Sequence, residues 1–261
     1  INSGNFIPET STVNFEGEQN QQVNTGGDFF HNFGVRNTGA SVASNRIILL
    51  SNVNIINSFN FEQGNVETGD SIIYLINQDP TALNYLSASG SRVIGYFERG
   101  VNTTAAGYLF AIGSFDHYNP LNLKLNDIST TGSILSKFIA RDSDTLGLPL
   151  PDPGYVNPAD TVEVYDSDSA GYWSLTAKNS FASPDYNINL SGSGFRTPYQ
   201  NATRVIKREA SDTIWTLDGV HRDAQDSVIF RDSLKLGISA TGHHFGWGHI
   251  RPRIQIGRAH V

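Results

Sequence analysis

Three imidazoles fall within one short stretch, His243-His244-Phe245-Gly246-Trp247-Gly248-His249, and histidine is the commonest side chain for holding a transition metal. The spacing works against a metal here. Alternate side chains of a strand share a face at about 3.3 Å per residue, so His243 and His249 point the same way about 20 Å apart, whereas zinc needs its ligands about 2 Å from one centre. Only a sharp bend at Gly246 or Gly248 would bring them together. The stretch therefore reads as an aromatic strand with half-exposed histidines.

Carboxylates offer a second chemistry. Asp166-Ser167-Asp168-Ser169-Ala170-Gly171 begins like a calcium loop, with oxygens at alternate positions and Gly at the sixth, but Ala177 stands where the bidentate Glu belongs. Asp142 and Asp144, with Asp152 and Asp160 nearby, suit a looser calcium site completed by backbone carbonyls; a solvated acidic loop is the alternative. The candidate metal ligands are thus Asp142, Asp144, Asp166 and Asp168, and no other cofactor is expected. No Gly-x-Ser-x-Gly elbow lies between a strand and a helix, and Ser193 sits in a Ser-Gly-Ser-Gly turn. Asp28, Glu62, Glu67 and Asp70 fall at corners with no repeat to align them as acid and base, so no catalytic residue is assigned and the chain is read as no enzyme. Trp173, Trp215 and Trp247, with Tyr172, Tyr186 and Tyr199, remain as a possible flat platform for sugar rings, against the alternative that the tryptophans are core.

The elements that must position these residues are strands. The chain has 261 residues, a formal charge of −7, no Cys and no Met, so disulfides and Cys-ligated metals are excluded. Only 16% of residues are charged, against roughly 25% in an average globular protein. The net negative charge, with no basic cluster longer than Arg204 to Arg208, argues against a nucleic-acid partner. No apolar run approaches the roughly 18 residues that cross a bilayer, so no membrane insertion is expected. No long window keeps helical periodicity, while short alternating runs recur between Gly, Asn, Asp and Pro. The fold class read from this is all-β.

Two textures divide the chain. Over residues 1–99, short strands such as Thr12 to Phe15, Arg46 to Leu50, Asn52 to Ile56 and Ser71 to Ile76 alternate with corners at Asn37-Thr38-Gly39, Gly64-Asn65 and Thr68-Gly69-Asp70. That spacing predicts parallel β-helix-like coils, with Asn and Gly at the bends and alternate side chains filling the interior. Over residues 100–255, ten candidate strands, among them Ile134 to Ala140, Gly171 to Thr176, Thr203 to Lys207, Ile214 to Leu217 and Ser233 to Ser239, have the spacing of an antiparallel β-sandwich.

Asn5-Phe6-Ile7-Pro8, Ser11 to Gly17, Phe33 to Gly39, Gly64 to Gly69, Ser91 to Arg99, Leu109 to Gly113, Tyr118 to Leu121 and Gly171 to Trp173 together resemble the β-rich repeat regions of large secreted or cell-surface proteins of Bacteroidota. The resemblance covers nearly the whole chain and implies export by type IX secretion, an extracellular or outer-surface location and a missing sorting domain, hence a fragment. It also implies a structural or adhesin-like role, with polysaccharide or another surface protein as partner. A carbohydrate-binding accessory module is the second reading, and a β-helix polysaccharide-active enzyme the third. The ending, Gln255 to Val261, resembles translated sequencing adapter, so residues 256–261 read as a non-native tail. Asp-Ser/Thr followed by an apolar residue occurs at Ser71, Thr145, Thr161, Ser169, Thr213, Ser227 and Ser233, similar to the O-glycosylation acceptor of exported Bacteroidota proteins; the alternative is that Asp-hydroxyl pairs simply start strands after turns.

Overall fold

The structure, a computed structural model, describes residues 7–86, 90–152, 163–198, 202–235 and 237–250. Its first part comprises β1 (Thr12–Gly17), β2 (Gln21–Val23), β3 (Phe29–Asn37), β4 (Arg46–Leu49), β5 (Val53–Gln63), β6 (Asn65–Leu75), β7 (Leu83–Tyr85) and β8 (Val93–Val101). The second comprises β9 (Tyr108–Phe110), β10 (Ile112–Gly113), β11 (Leu121–Asp127), β12 (Gly132–Ile139), β13 (Leu150–Pro151), β14 (Glu163–Ser167), β15 (Tyr172–Lys178), β16 (Asp185–Ser191), β17 (Thr203–Glu209), β18 (Val220–Gln225), β19 (Val228–Leu234) and β20 (His243–Ile250). The fold is all-β: a parallel solenoid of about four turns joined to an antiparallel sandwich.

The parallel pairings sort the solenoid into three faces. One stacks β1, the second half of β3, the second half of β5 and then β7. Another stacks β2, β4, the start of β6, the start of β8 and then β10. The third stacks the starts of β3 and β5 with the ends of β6 and β8. Strands β5 and β6, 11 residues each, are long because each bends around a corner and serves two faces. Corner asparagines stack between turns: Asn57 Nδ2 donates to Asn32 Oδ1 at 2.8 Å, 25 residues away, and Asn65 Nδ2 to Asn45 Oδ1 at 2.7 Å, 20 residues away. Unequal turn lengths explain why the sequence shows no fixed period. Gly64, at φ +96°, makes the corner between β5 and β6, where a Cβ would meet Asn37 and the Asn45 carbonyl at 3.0 Å.

Interior side chains line up because each face alternates in and out. Phe15, Phe33, Phe59, Phe97 and Phe110 form a continuous aromatic file, with successive centroids 4.9, 5.6, 6.0 and 5.9 Å apart. Arg99, fully buried at the last turn, donates to the carbonyls of Leu109 and Pro80 and lies against the Tyr108 ring.

Only the third face continues. There β8 is parallel to β6 on one side and antiparallel to β12 on the other, and the sheet runs on through β15 to β20, which is held between β17 along one flank and β15 followed by β14 along the other. The second sheet, in the order β18-β19-β16-β11-β9, covers the inner face of this extension. One hydrophobic cluster joins the solenoid interior to the sandwich, from Phe33 and Phe59 through Phe110 to Trp173 and Trp247. A smaller cluster of Val164, Tyr172, Ile206 and Trp215 lies on the opposite face of the main sheet.

Several strand expectations differ in detail. Ile214 to Leu217 is not a strand: Trp215 folds down as a plug over the outer cluster, its Nε1 donating to the carbonyls of Ser143 and Asp144. Ser233 to Ser239 extends past the end of β19 at Leu234, and Ser233 has a φ of +52°. Residues 256–261 lie outside the described residues.

Candidate functional site

Strand β20 runs without a bend, so the histidines stay apart. His243 Nε2 lies 2.6 Å from Glu209 Oε1, His244 packs on the Tyr172 ring from the opposite face, and His249 Nε2 sits 3.3 Å from Asp168 Oδ2. The aspartates do not converge either. Asp144 pairs with Arg208 at 3.0 Å, Asp166 with Arg196 at 2.9 Å, and Asp168 with Arg196 at 3.3 Å, while Asp142 accepts the Asp144 backbone N–H. Arginines thus take the charge a cation would have neutralised, and among the described residues no group of three or more His, Asp or Glu is placed to hold a metal.

The tryptophans offer nothing to a sugar. Trp173, Trp215 and Trp247 are all 0% exposed, which corrects their reading as a platform. Phe195 stacks on Trp173 at 5.2 Å and packs on Trp247 at 4.8 Å, and the Trp173 Nε1 donates to the Asn119 carbonyl. A buried indole removes more apolar area from water than most side chains, which holds Trp173 and Trp247 in the sandwich core and Trp215 in the outer cluster. Of the hydroxyls in Asp-Ser/Thr motifs, Thr145, Ser169, Thr213 and Ser227 are exposed, Ser71 and Ser233 are half-buried, and Thr161 lies outside the described residues.

Reading along the chain missed the buried charges. Arg204, Lys207 and Arg208, the most basic stretch of the sequence, are at most 5% exposed and are paired with Asp152, Asp218 and Asp144. Asp152, itself inside, bridges Arg204 at 2.6 Å on β17 and Arg231 at 3.3 Å on β19, tying the two sheets together. Burial would raise its carboxyl, but Arg231 and Arg204 prevail and hold it below the ordinary value. His221 accepts from Arg204 Nη1 at 2.9 Å; burial first, then the Arg204 charge, pushes it down to about 4. Burial likewise lowers Lys207 to about 8. Asp152 lies 52 residues from Arg204 and 79 from Arg231, and Asp144 lies 64 from Arg208, so no local motif announces these pairs. Ser193 Oγ stands 3.3 Å from His117 Nδ1, but among the described residues no carboxylate bonds that imidazole, so the pair lacks the orienting group of a catalytic triad.

One open cleft of about 410 Å³ lies at a corner of the solenoid. It forms where β8 turns from one face to the next at Gly95. On one side the pairing of β8 passes from β10, ending at Gly113 opposite Ile94, to β12, beginning at Ser136 opposite Phe97. On the other side β6 bulges away between Glu67 and Ile72. Gly95, at φ +122°, is required there because a Cβ would strike Thr68 Oγ1. Tyr96 and Phe115 line the cleft with Glu67, Asp70 and Lys137. Nothing local in the sequence marks it, because it arises from pairings between distant strands. No family model, curated protein or solved structure matches the chain.

Proposed function

We propose that the chain is a non-catalytic, structural and adhesive segment of a large exported cell-surface protein, in which the solenoid is a stiff spacer and the sandwich its broad end. The observation that carries this reading is the unbroken interior, in which the phenylalanine file and the shared sheet leave no hinge between the two regions. The scattered histidines, the arginine-paired carboxylates and the incomplete Ser193–His117 pair support a role without catalysis. Export rests on the resemblance to Bacteroidota surface proteins. Antibody raised against the purified chain labels intact source cells if the reading is right, and labelling only after permeabilisation overturns it. The exposed hydroxyls of Thr145, Ser169, Thr213 and Ser227 are the glycosylation acceptors in this proposal. Intact mass of the native protein then exceeds the sequence mass by sugar increments, and peptide mapping finds them at these four positions; an unmodified mass rejects the modification.

A further inference from the structure

We infer that the corner cleft is a binding site for a neutral oligosaccharide. This gives a ligand class to the adhesive part of the function proposed above, while the spacer part stands independently.

The cleft's size falls within the range of small-molecule sites, about 300–1,000 Å³. Its chemistry is mixed in a particular way. Phe115 is 45% exposed, comparable to Phe29 at 44%, and the Arg46 guanidinium lies 5.5 Å from its centroid. Arg46 is in turn held by Glu67 at 2.8 Å, which fixes the ring's support. Also lining the cleft, Lys137 Nζ bonds the Tyr96 hydroxyl at 2.7 Å and lies 4.2 Å from the ring centroid. Each ring is therefore braced by a cation, and such a ring is preorganised to receive the apolar C–H face of a pyranose.

Charge selects among possible ligands. Glu67 and Asp70 are balanced by Arg46 and Lys137, so the cleft has no net charge with which to attract a polyanion or a polycation. What it does present is carboxylate acceptors, an ammonium donor and the Ser114 hydroxyl together with the Tyr96 and Phe115 rings. Sugar hydroxyls are paired donors and acceptors and satisfy both kinds of group. The cleft is open to solvent, which suits a stretch of chain rather than an enclosed monosaccharide.

Saturation-transfer NMR with cellotriose, maltotriose and chitotriose, each at millimolar concentration, tests the assignment. At least one gives saturable transfer, and Phe115→Ala weakens that binding about tenfold through loss of one stacking face. Tyr96→Ala weakens it similarly, whereas Tyr165→Ala, which removes an exposed ring on β14, leaves it unchanged. Since Phe115 is exposed, an unaltered circular dichroism melt shows that its variant remains folded. The inference is overturned if none of the three sugars binds, if binding survives both ring variants, or if only trigalacturonate binds. Failure on these counts leaves the spacer reading intact; cleavage of a probe would instead overturn the non-catalytic reading.

Discussion

Asp168 is 3% exposed and nevertheless charged. Burial alone would raise its carboxyl, but His249, the backbone N–H groups of Ala170 and Arg196, and the Arg196 side chain outweigh that and hold it down to about 2. A carboxyl whose folded value lies below its unfolded value of 3.8 stabilises the fold above about pH 4, and loses that contribution as pH falls toward 2. Asp168→Asn is expected to cost up to about 2 kcal/mol at pH 7, and the gap to wild type in urea denaturation closes between pH 4 and pH 2. The His244 contribution is lost in the same direction, at higher pH, but for the opposite reason, since the fold keeps it neutral. Burial, then Arg208 and Arg141, lower it to about 4, so the unfolded chain takes the proton first and stability falls as pH drops from 6.5 to 4. His244→Phe keeps an aromatic contact with Tyr172 and flattens the stability profile across that window; an unchanged slope would remove His244 from the account. These residues are visible in the sequence as acids and imidazoles, but their partners are not. His249 lies 81 residues from Asp168, and Arg208 lies 64 residues from Asp144.

Among the elements, the strands with clean alternation were the legible ones. Leu121 to Leu125 and Tyr186 to Leu190 fall inside β11 and β16, because a half-buried strand must place apolar groups on one face, and Thr203 to Lys207 falls inside β17, which is buried on both faces. Strands β5 and β6 were read short, since each turns a corner midway and the turn shifts its alternation. Ile214 to Leu217 misled for a related reason: its apolar residues plug a surface cluster rather than line a sheet. The corner asparagines were legible as turn formers but not as a ladder, which depends on turns of unequal length. The central rung of the aromatic file makes the clearest prediction. Phe59 touches Phe33, Phe61 and Phe97 and is fully buried, so Phe59→Ala costs about 3–5 kcal/mol in urea denaturation. Asn57→Ala, which removes the neutral corner bond to Asn32 and a longer one from Asn77, costs about 1 kcal/mol.

For the whole molecule, the change of texture near Gly100 marks a change of pairing within one sheet. Strand β8 spans Val93–Val101 and belongs to both parts. All three tryptophans lie beyond residue 170, so indole fluorescence reports the sandwich while far-ultraviolet circular dichroism reports every strand. With one continuous interior the two signals are expected to share a single urea midpoint, and Phe59→Ala in the solenoid shifts the fluorescence midpoint as far as the dichroism midpoint. Separate midpoints would show two independently folding units.

The first strand and the last described strand are held differently. Among the described residues β1 pairs with β3 alone, along one flank, whereas β20 is bonded along both. Under tension along the solenoid axis, the ladder at β1 would be loaded one bond at a time, and the turns would peel off in sequence at low force. Strand β20 can leave only by breaking the ladders on both flanks. The two ends of the described fold thus differ in how firmly their backbone ladders hold them, loosely at β1 and firmly at β20.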